Sequence, residues 1–184
     1  NWPALVAAKD GVVTSLRQKK YIDLLPEYNG VAYLEGAARL NGQGVMVNGA
    51  AISAGKIIIA TGTSPALPDI PGIEEVPYLT STTALELGAL PRSLLVIGGG
   101  YIGCELAQMF ARVGVAVTLI TRRRLLPEAE PEISEALTGY LRDEGITVRT
   151  GLTYRGIART AAGVELSITT DGAQQVIAAE QVLV

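Results

Sequence analysis

The sequence predicts an α/β fold made of a parallel sheet and a three-stranded antiparallel meander. The parallel sheet follows from two buried apolar runs, 93–97 and 115–120, which flank a glycine-rich turn and a helical pattern. The meander follows from alternating segments at 154–160, 164–169 and 175–178, which are separated by glycine-containing turns. Together these patterns predict a Rossmann-like domain.

The N-terminal region has a different sequence pattern. Residues 2–25 show a helical pattern that Pro26 ends, although Gly11 weakens it. Short apolar runs separated by Asn and Gly follow, and they predict small antiparallel strands with tight turns. These strands are expected at 31–35, 37–40, 45–47 and 50–53.

A proline-rich stretch separates this region from the glycine-rich turn. An uninterrupted apolar run at 56–60 predicts a buried strand that continues into Thr61 and Gly62. The prolines that follow cannot continue a helix or a central strand, so an extended linker is expected. We place the domain crossing within 66–91, with a short helix at 81–90 inside it.

The glycine-rich turn has the spacing of a dinucleotide cradle. Gly98, Gly100 and Gly103 fit G-x-G-x-x-G, in which the glycines permit a tight turn, approach of a pyrophosphate and close helix packing, in that order. Glycine-rich turns are common, so a turn with no ligand is the alternative. The flanking strands and helix complete a βαβ unit with a right-handed crossover, and this context favours nucleotide binding.

The end of the second strand bears on which dinucleotide the cradle accepts. A chain that selects NAD places Asp or Glu there for the ribose hydroxyls, whereas this strand ends in Thr121-Arg122-Arg123-Arg124. Guanidinium groups match the charge and geometry of a 2′-phosphate. We therefore predict NADP(H) as the cofactor. The alternative is a solvated basic corner, and at least one of the three arginines is expected to be only that.

The pattern continues to the last residues. A helix is predicted at about 131–144, with Pro131 in its first turn and Gly145 at its end, followed by a third strand at 146–149. After the meander, 181–184 begins another buried strand. The chain is therefore expected to be a piece of a longer protein.

Composition excludes several classes of function. The net charge is −3, so the sequence lacks the excess of basic residues typical of nucleic-acid-binding proteins. No apolar run is long enough to span a membrane. No signal peptide is seen at the first residues, so a cytoplasmic location is expected. Cys104 is the only cysteine and histidine is absent, which leaves no intrachain disulfide, metal cluster or catalytic triad. Cys104 is predicted to be a small packing residue.

Two segments carry a family resemblance. They are Ile57-Ile-Ile-Ala-Thr-Gly-Thr-Ser-Pro-Ala-Leu-Pro-Asp-Ile-Pro-Gly72 and Val96-Ile-Gly-Gly-Gly-Tyr-Ile-Gly-Cys-Glu105. In this order they resemble the pyridine nucleotide-disulfide oxidoreductases, flavoproteins that bind two dinucleotides. The resemblance implies that 1–72 is part of an FAD-binding domain, 73–90 an interdomain linker with a short helix, and 91–184 the NAD(P)-binding domain.

Within the family, the segments 80–85, 105–108 and 110–114 are most similar to mercuric reductases. The resemblance implies a full-length homodimer in which NADPH, FAD and a cysteine pair deliver electrons to Hg(II). No residue of this chain is assigned a catalytic role, because the redox cysteines are expected outside it. Dihydrolipoamide dehydrogenase or another disulfide reductase is the alternative within the family. A stand-alone NADP(H)-binding module is the alternative of another class.

The resemblance also assigns cofactor contacts. Ala38 matches a position whose backbone bonds the adenine of FAD, and Ala60, Thr61 and Gly62 match a turn close to the flavin nucleotide. The NADP(H) contacts would be Gly98, Gly99, Gly100, Tyr101, Ile102, Gly103, Glu105, Thr121, Arg122, Arg123 and Leu152.

Three of these positions carry a particular role in the family. Tyr101 matches the aromatic residue that covers the flavin until nicotinamide displaces it, and Glu105 matches the carboxylate that faces the nicotinamide amide. Leu152 matches an apolar residue near the nucleotide. Their alternatives are a packed phenol, an acidic group favoured by the helix N-terminus, and a simple core residue.

Overall fold

The computed structural model describes residues 1–42 and 44–184. Contacts divide the chain into two compact units, one formed by 1–6 with 65–184 and the other by 7–64. Both clusters of buried apolar residues lie in the larger unit.

The smaller unit contains most of the N-terminal helix and a small antiparallel sheet. Helix α1 (Trp2–Arg17) begins in the larger unit, continues as a π-helix over Gln18–Ile22, and is followed by a 3-10 turn at Leu25–Glu27. The sheet has the order β1-β2-β3. Its strands are β1 (Ala38–Leu40), β2 (Val45–Val47) and β3 (Ala50–Ile52).

The tight turn predicted between β2 and β3 is present. Asn48 and Gly49 both have positive φ, at 49° and 86°, as a two-residue hairpin turn requires. The Asn48 side chain also binds back to the preceding segment, since its Oδ1 accepts from the Ala37 amide at 3.2 Å and its Nδ2 donates to the Glu35 carbonyl at 3.0 Å. These bonds tie 35–37 to the hairpin turn.

The strands predicted at 31–35 and 56–60 are not formed in the structure. Neither segment forms a strand or pairs with one among the described residues. Ile58 is 91 % exposed and Ile59 67 % exposed, so 56–60 is not the buried strand that its apolar sequence predicts. An apolar run becomes a strand only where a neighbouring strand satisfies its backbone groups, and 56–60 has no such neighbour here.

The larger unit has the predicted α/β architecture. In chain order its elements are β4 (Tyr78–Leu79), α2 (Ser81–Ala84), β5 (Ser93–Ile97), α3 (Tyr101–Arg112), β6 (Ala116–Ile120), α4 (Pro131–Asp143), β7 (Thr147–Arg149), β8 (Thr153–Thr160), β9 (Gly163–Thr170), β10 (Ala173–Ala179) and β11 (Gln181–Leu183). Five strands form a parallel sheet in the order β4-β11-β5-β6-β7, and β8–β10 form the antiparallel meander.

Strand β5 lies at the centre of the parallel sheet and is buried on both faces. Successive side chains of a strand point to opposite faces, so Leu94 and Val96 join one apolar cluster while Leu95 and Ile97 join the other. The first cluster is covered by helices α3 and α4, and the second by the meander. This two-sided burial explains why the strand sequence is continuously apolar.

Trp2 anchors the chain start to the helical layer. Its ring lies 5.6 Å from that of the fully buried Phe110, and its Nε1 donates to the Leu87 carbonyl at 2.6 Å.

Helix α2 is shorter than the predicted 81–90 segment. Its N-cap is Thr80, which forms a capping box with Thr83 and so starts the helix.

Glu144 links the ends of α3 and α4. Its carboxylate accepts hydrogen bonds from both Nε and Nη2 of Arg112 at 2.7 Å and from Nε2 of Gln108 at 2.6 Å. The hydrogen bond from Arg112 holds the pKa of the Glu144 carboxyl below its ordinary value of 4.5. The stabilisation is therefore complete above about pH 4.5 and is lost as the pH falls through the lowered pKa of the folded state.

We expect the free energy of unfolding of a Glu144→Gln variant to fall less steeply with decreasing pH than that of the wild type. The measurement is urea unfolding at a series of pH values from neutrality into the acid range. Glu135→Gln, in α4 and without an ion pair among the described residues, is the matched control, and its stability should fall with pH as that of the wild type does. Parallel pH profiles for wild type and Glu144→Gln would contradict this role.

Candidate nucleotide-binding site

The glycine-rich turn lies at the carboxyl end of β5, where the chain passes into α3. Gly98 has φ of +128°, a conformation that side chains disfavour, and its amide donates to the Ile120 carbonyl at 2.9 Å. The turn is thereby tied to the end of the neighbouring strand β6. The first glycine makes the tight turn that the motif predicts.

Gly103 permits close packing of α3 on β5. A Cβ at this position would overlap the carbonyl oxygen of Gly98. Gly99 is also enclosed: a Cβ there would lie 3.0 Å from atoms of Leu125 and Thr121, and its carbonyl accepts from the Leu126 amide at 2.7 Å. The turn is therefore held between the helix and the loop that follows β6.

Gly100 faces open space. It is the N-cap of α3, no side chain caps the helix, and a Cβ built on it meets nothing within 4 Å. The first amides of a helix have no intrahelical acceptor, so those of Tyr101, Ile102 and Gly103 are free to bind an anion. An uncapped helix start beside an open glycine fits a pyrophosphate group.

The outer face of the helix start is solvent-exposed. Tyr101 is 67 % exposed and Ile102 59 % exposed, and Glu105, one turn further on, is exposed as well. Tyr101 therefore lies outside the buried core of its unit. All three side chains are accessible to a ligand that extends from the cradle along α3.

The chain after β6 has one buried and three exposed positions. Thr121 is 9 % exposed, and its amide donates to the Arg149 carbonyl at 3.0 Å, which joins β6 to β7. Arg122 places its guanidinium carbon 6.0 Å from the centre of the Tyr154 ring. Arg123 pairs with Glu128 at 3.4 Å on the exposed surface.

The Arg124 side chain forms hydrogen bonds to backbone carbonyls. Its Nη2 donates to the carbonyls of Pro127 at 3.1 Å and Ala129 at 2.7 Å, which fixes the loop before α4. This loop-fixing role could not be read from the run of arginines. Its only sequence signal is Pro127, which fits a tight turn.

The remaining predicted contacts lie in different surroundings. Leu152 is 3 % exposed and belongs to the cluster under the meander. Ala38 lies in β1, opposite Val47, and Ala60, Thr61 and Gly62 lie in exposed chain outside any helix or strand, where Gly62 has φ of +71°. The structure brings the glycines, Thr121 and the arginines together in the larger unit. Ala38 and 60–62 belong to the smaller one.

Cys104 is a packing residue in the structure. Its side chain is 5 % exposed within the helical-layer cluster, and its Sγ lies 3.8 Å from the Gly99 carbonyl. Burial, followed by the negative charge of Glu105, raises the pKa of the thiol to about 11. The reactive thiolate is therefore scarce at neutral pH.

We expect Cys104 to react with an aromatic disulfide reagent at mildly alkaline pH at least about a hundredfold more slowly in the native protein than in urea-unfolded protein, because only the thiolate attacks. A Cys104→Ala variant sets the background. Equal native and unfolded rates would show that the thiol is accessible and activated.

Within residues 1–42 and 44–184, no three acidic, cysteine or histidine side chains are grouped so that they could hold a metal ion. No helix in the same ranges is both long and apolar enough to cross a membrane.

Comparison with known proteins shows which family the chain belongs to. The model of the family described as pyridine nucleotide-disulphide oxidoreductase matches residues 4–184. The chain belongs to this family. The resemblance of 57–72 and 96–105 to the family is confirmed, and so is the α/β fold with a parallel sheet and an antiparallel three-stranded sheet. The family binds nucleotide cofactors and carries out oxidoreductase chemistry.

Curated relatives of this chain include mercuric reductases. The protein of that name from Staphylococcus aureus is 47 % identical over 182 residues, which cover 98 % of this chain and 33 % of the relative. The one from Lysinibacillus sphaericus is 44 % identical over 183 residues, with the same two coverages. The chain therefore spans about a third of the length of these relatives.

A solved structure of a HOCl-induced flavoprotein disulfide reductase from Escherichia coli superimposes with a TM-score of 0.83 at 31 % identity, covering 98 % of this chain and 41 % of that one. The Cu(II) complex of the same reductase gives a TM-score of 0.81, also at 31 % identity, over 97 % of this chain and 40 % of that one.

Proposed function

We propose that this chain is the NADPH-binding portion of an FAD-dependent oxidoreductase whose terminal electron acceptor is Hg(II). The observation that carries the proposal is the open glycine cradle at the start of α3, next to a strand end that bears arginines in place of a carboxylate. When bound, NADPH supplies a hydride to FAD. The protein supplies position and electrostatics.

The cradle would hold the pyrophosphate. The amides of Tyr101, Ile102 and Gly103 are donors without an intrahelical acceptor, and the positive end of the α3 dipole favours an anion there. Gly100 leaves room for the phosphates, since a Cβ there meets nothing within 4 Å. Gly98 and Gly99 set the turn that aims these amides outward.

The strand end would hold the 2′-phosphate. Arg122 and Arg123 are exposed, and the ion pair between Arg123 and Glu128 is a surface pair, which contributes little to stability. Thr121 is buried and holds the strand end in place through its amide. Two guanidinium groups on a fixed strand end favour NADPH over NADH.

The exposed residues along α3 would serve the nicotinamide end. Glu105 would accept from the carboxamide and so orient the ring, and Tyr101 would lie over the flavin until the nicotinamide enters. Ile102 would pack beside the nucleotide. Leu152, which is buried, would support that wall from the core.

The segment before the linker would contact FAD. We assign 1–72 to the FAD-binding domain, 73–90 to the linker and 91–184 to the NADP(H)-binding domain. Ala38 would offer its backbone to the adenine, and Ala60, Thr61 and Gly62 would pass close to the flavin nucleotide. The apolar exposed run 56–60 would then become a sheet strand when the rest of that domain surrounds it.

The full-length protein would be a cytoplasmic homodimer that confers mercury resistance. Support for Hg(II) as the acceptor comes from relatives named mercuric reductase that are 44–47 % identical to this chain. The redox cysteines would lie elsewhere in the protein, because Cys104 is buried and its pKa is raised.

A chimera tests the proposal. This chain would replace the matching third of the Staphylococcus aureus relative, and NADPH oxidation would be followed on addition of Hg(II). We expect Hg(II)-dependent oxidation, with flavin absorbance as the control for FAD binding. A chimera that retains FAD but oxidises NADPH no faster with Hg(II) than without it would refute the assignment.

A further inference from the structure

The three consecutive arginines after Thr121 differ in what holds them. Arg124 donates to two backbone carbonyls, and Arg123 faces Glu128 across 3.4 Å with both side chains more than two-thirds exposed. Arg122 instead lies over an aromatic ring, that of Tyr154. Among the residues that the structure describes, no carboxylate pairs with Arg122.

Arg122 has its guanidinium over the Tyr154 ring, and within residues 1–42 and 44–184 its side chain takes part in no ion pair. A cation–π contact engages the face of the planar ion, whereas a phosphate binds its N–H groups at the edge. A carboxylate partner would compete with a phosphate for the same edge and cancel the charge. An aromatic partner does neither.

Tyr154 is a firmly held platform. It lies in β8 opposite Ile168 of β9, and its ring packs against the cluster under the meander. A β-bulge follows it at once: Arg155 is the extra residue, and its Nε donates to Thr169 Oγ1 at 2.8 Å. Bulges re-aim neighbouring side chains, and this one lies beside the platform.

The ring also stays neutral over the working pH range. Burial raises the pKa of the Tyr154 phenol to about 12, while the positive charge of Arg122 acts in the opposite direction. Near neutral pH the ring therefore carries no negative charge that would compete with a phosphate for Arg122.

We propose that Tyr154 is a positioning residue for cofactor choice. Its ring holds the Arg122 guanidinium at the strand end, with the N–H groups available to a 2′-phosphate. This inference rests on the proposed NADPH site. Arg122 is then the principal phosphate ligand of the three arginines. Tyr154 lies on the meander, outside the cradle and the strand end that define the site.

The test is a double-mutant cycle on the 184-residue chain, read as NADPH and NADH affinities by calorimetry. Tyr154→Leu should weaken NADPH by about three- to tenfold, the range expected for losing a partly desolvated cation–π contact, and leave NADH nearly unchanged. Tyr154→Phe keeps the ring face and should retain the wild-type ratio. In an Arg122→Ala background, Tyr154→Leu should have no further effect on NADPH.

Tyr140→Leu is the matched control, because Tyr140 is an exposed tyrosine on α4, and it should change neither affinity. Equal losses for both nucleotides in Tyr154→Leu, or the same loss with and without Arg122, would overturn the positioning role while leaving the NADPH site intact. Equal wild-type affinities for NADPH and NADH would overturn both the site and this role.

Discussion

A Gly103→Ala variant is expected to lose both nucleotide affinity and stability. The added Cβ would overlap the carbonyl oxygen of Gly98, which is backbone and cannot swing away as a flexible side chain could. Helix α3 would have to move off β5, at a cost of about 1–3 kcal/mol in the free energy of unfolding. The same movement displaces the helix-start amides, so NADPH affinity should fall by more than about tenfold.

Gly139→Ala is the matched control for Gly103→Ala. Gly139 also lies inside a helix, α4, and a Cβ there meets nothing within 4 Å. This control should be stabilised by roughly 0.5–1 kcal/mol, as expected for Ala over Gly in a helix. Urea unfolding followed by Trp2 fluorescence measures both variants. Similar stabilities for the two would show that α3 is not pressed against the turn.

The second large effect is expected from the double variant Arg122→Ala with Arg123→Ala. A single charge-assisted hydrogen bond contributes roughly 1.5–3 kcal/mol, and Arg122 is expected to supply the principal one, so NADPH affinity should fall by about tenfold to a hundredfold while NADH affinity changes little. The loss should be smaller at high salt, because a partly exposed phosphate contact is screened.

The control for that variant removes the same charge elsewhere. Arg17→Ala with Arg159→Ala removes two exposed arginines, one from α1 and one from β8, and reports only the long-range field of the protein. If this control weakened NADPH as much as the strand-end variant, the effect would come from net charge and not from a phosphate contact.

The regular elements of the larger unit could be predicted because their signals are local. The apolar run before Gly98, the helical spacing after it and the glycine ends of α3 and α4 are all read within a few residues. Gly103 is the best example, since the motif predicts close packing and the structure has no room for a Cβ there. The meander follows from strict alternation and its glycine turns.

Contacts between distant residues could not be predicted in this way. Trp2 on Phe110 and Tyr154 under Arg122 depend on how separate elements pack, and a single sequence carries no signal for either pair. The prediction of a buried strand at 56–60 was wrong for a related reason. Strand pairing depends on neighbouring strands and not only on the apolar residues of the segment itself.

The central claim is that the cradle and the strand end together select NADPH. Calorimetric titration of the unmodified chain with NADPH and with NADH at the same moderate salt concentration tests it most directly. We expect both nucleotides to bind, with NADPH tighter by at least about tenfold, since the two differ only in the 2′-phosphate that the arginines would bind. Equal affinities, or tighter binding of NADH, would contradict the account.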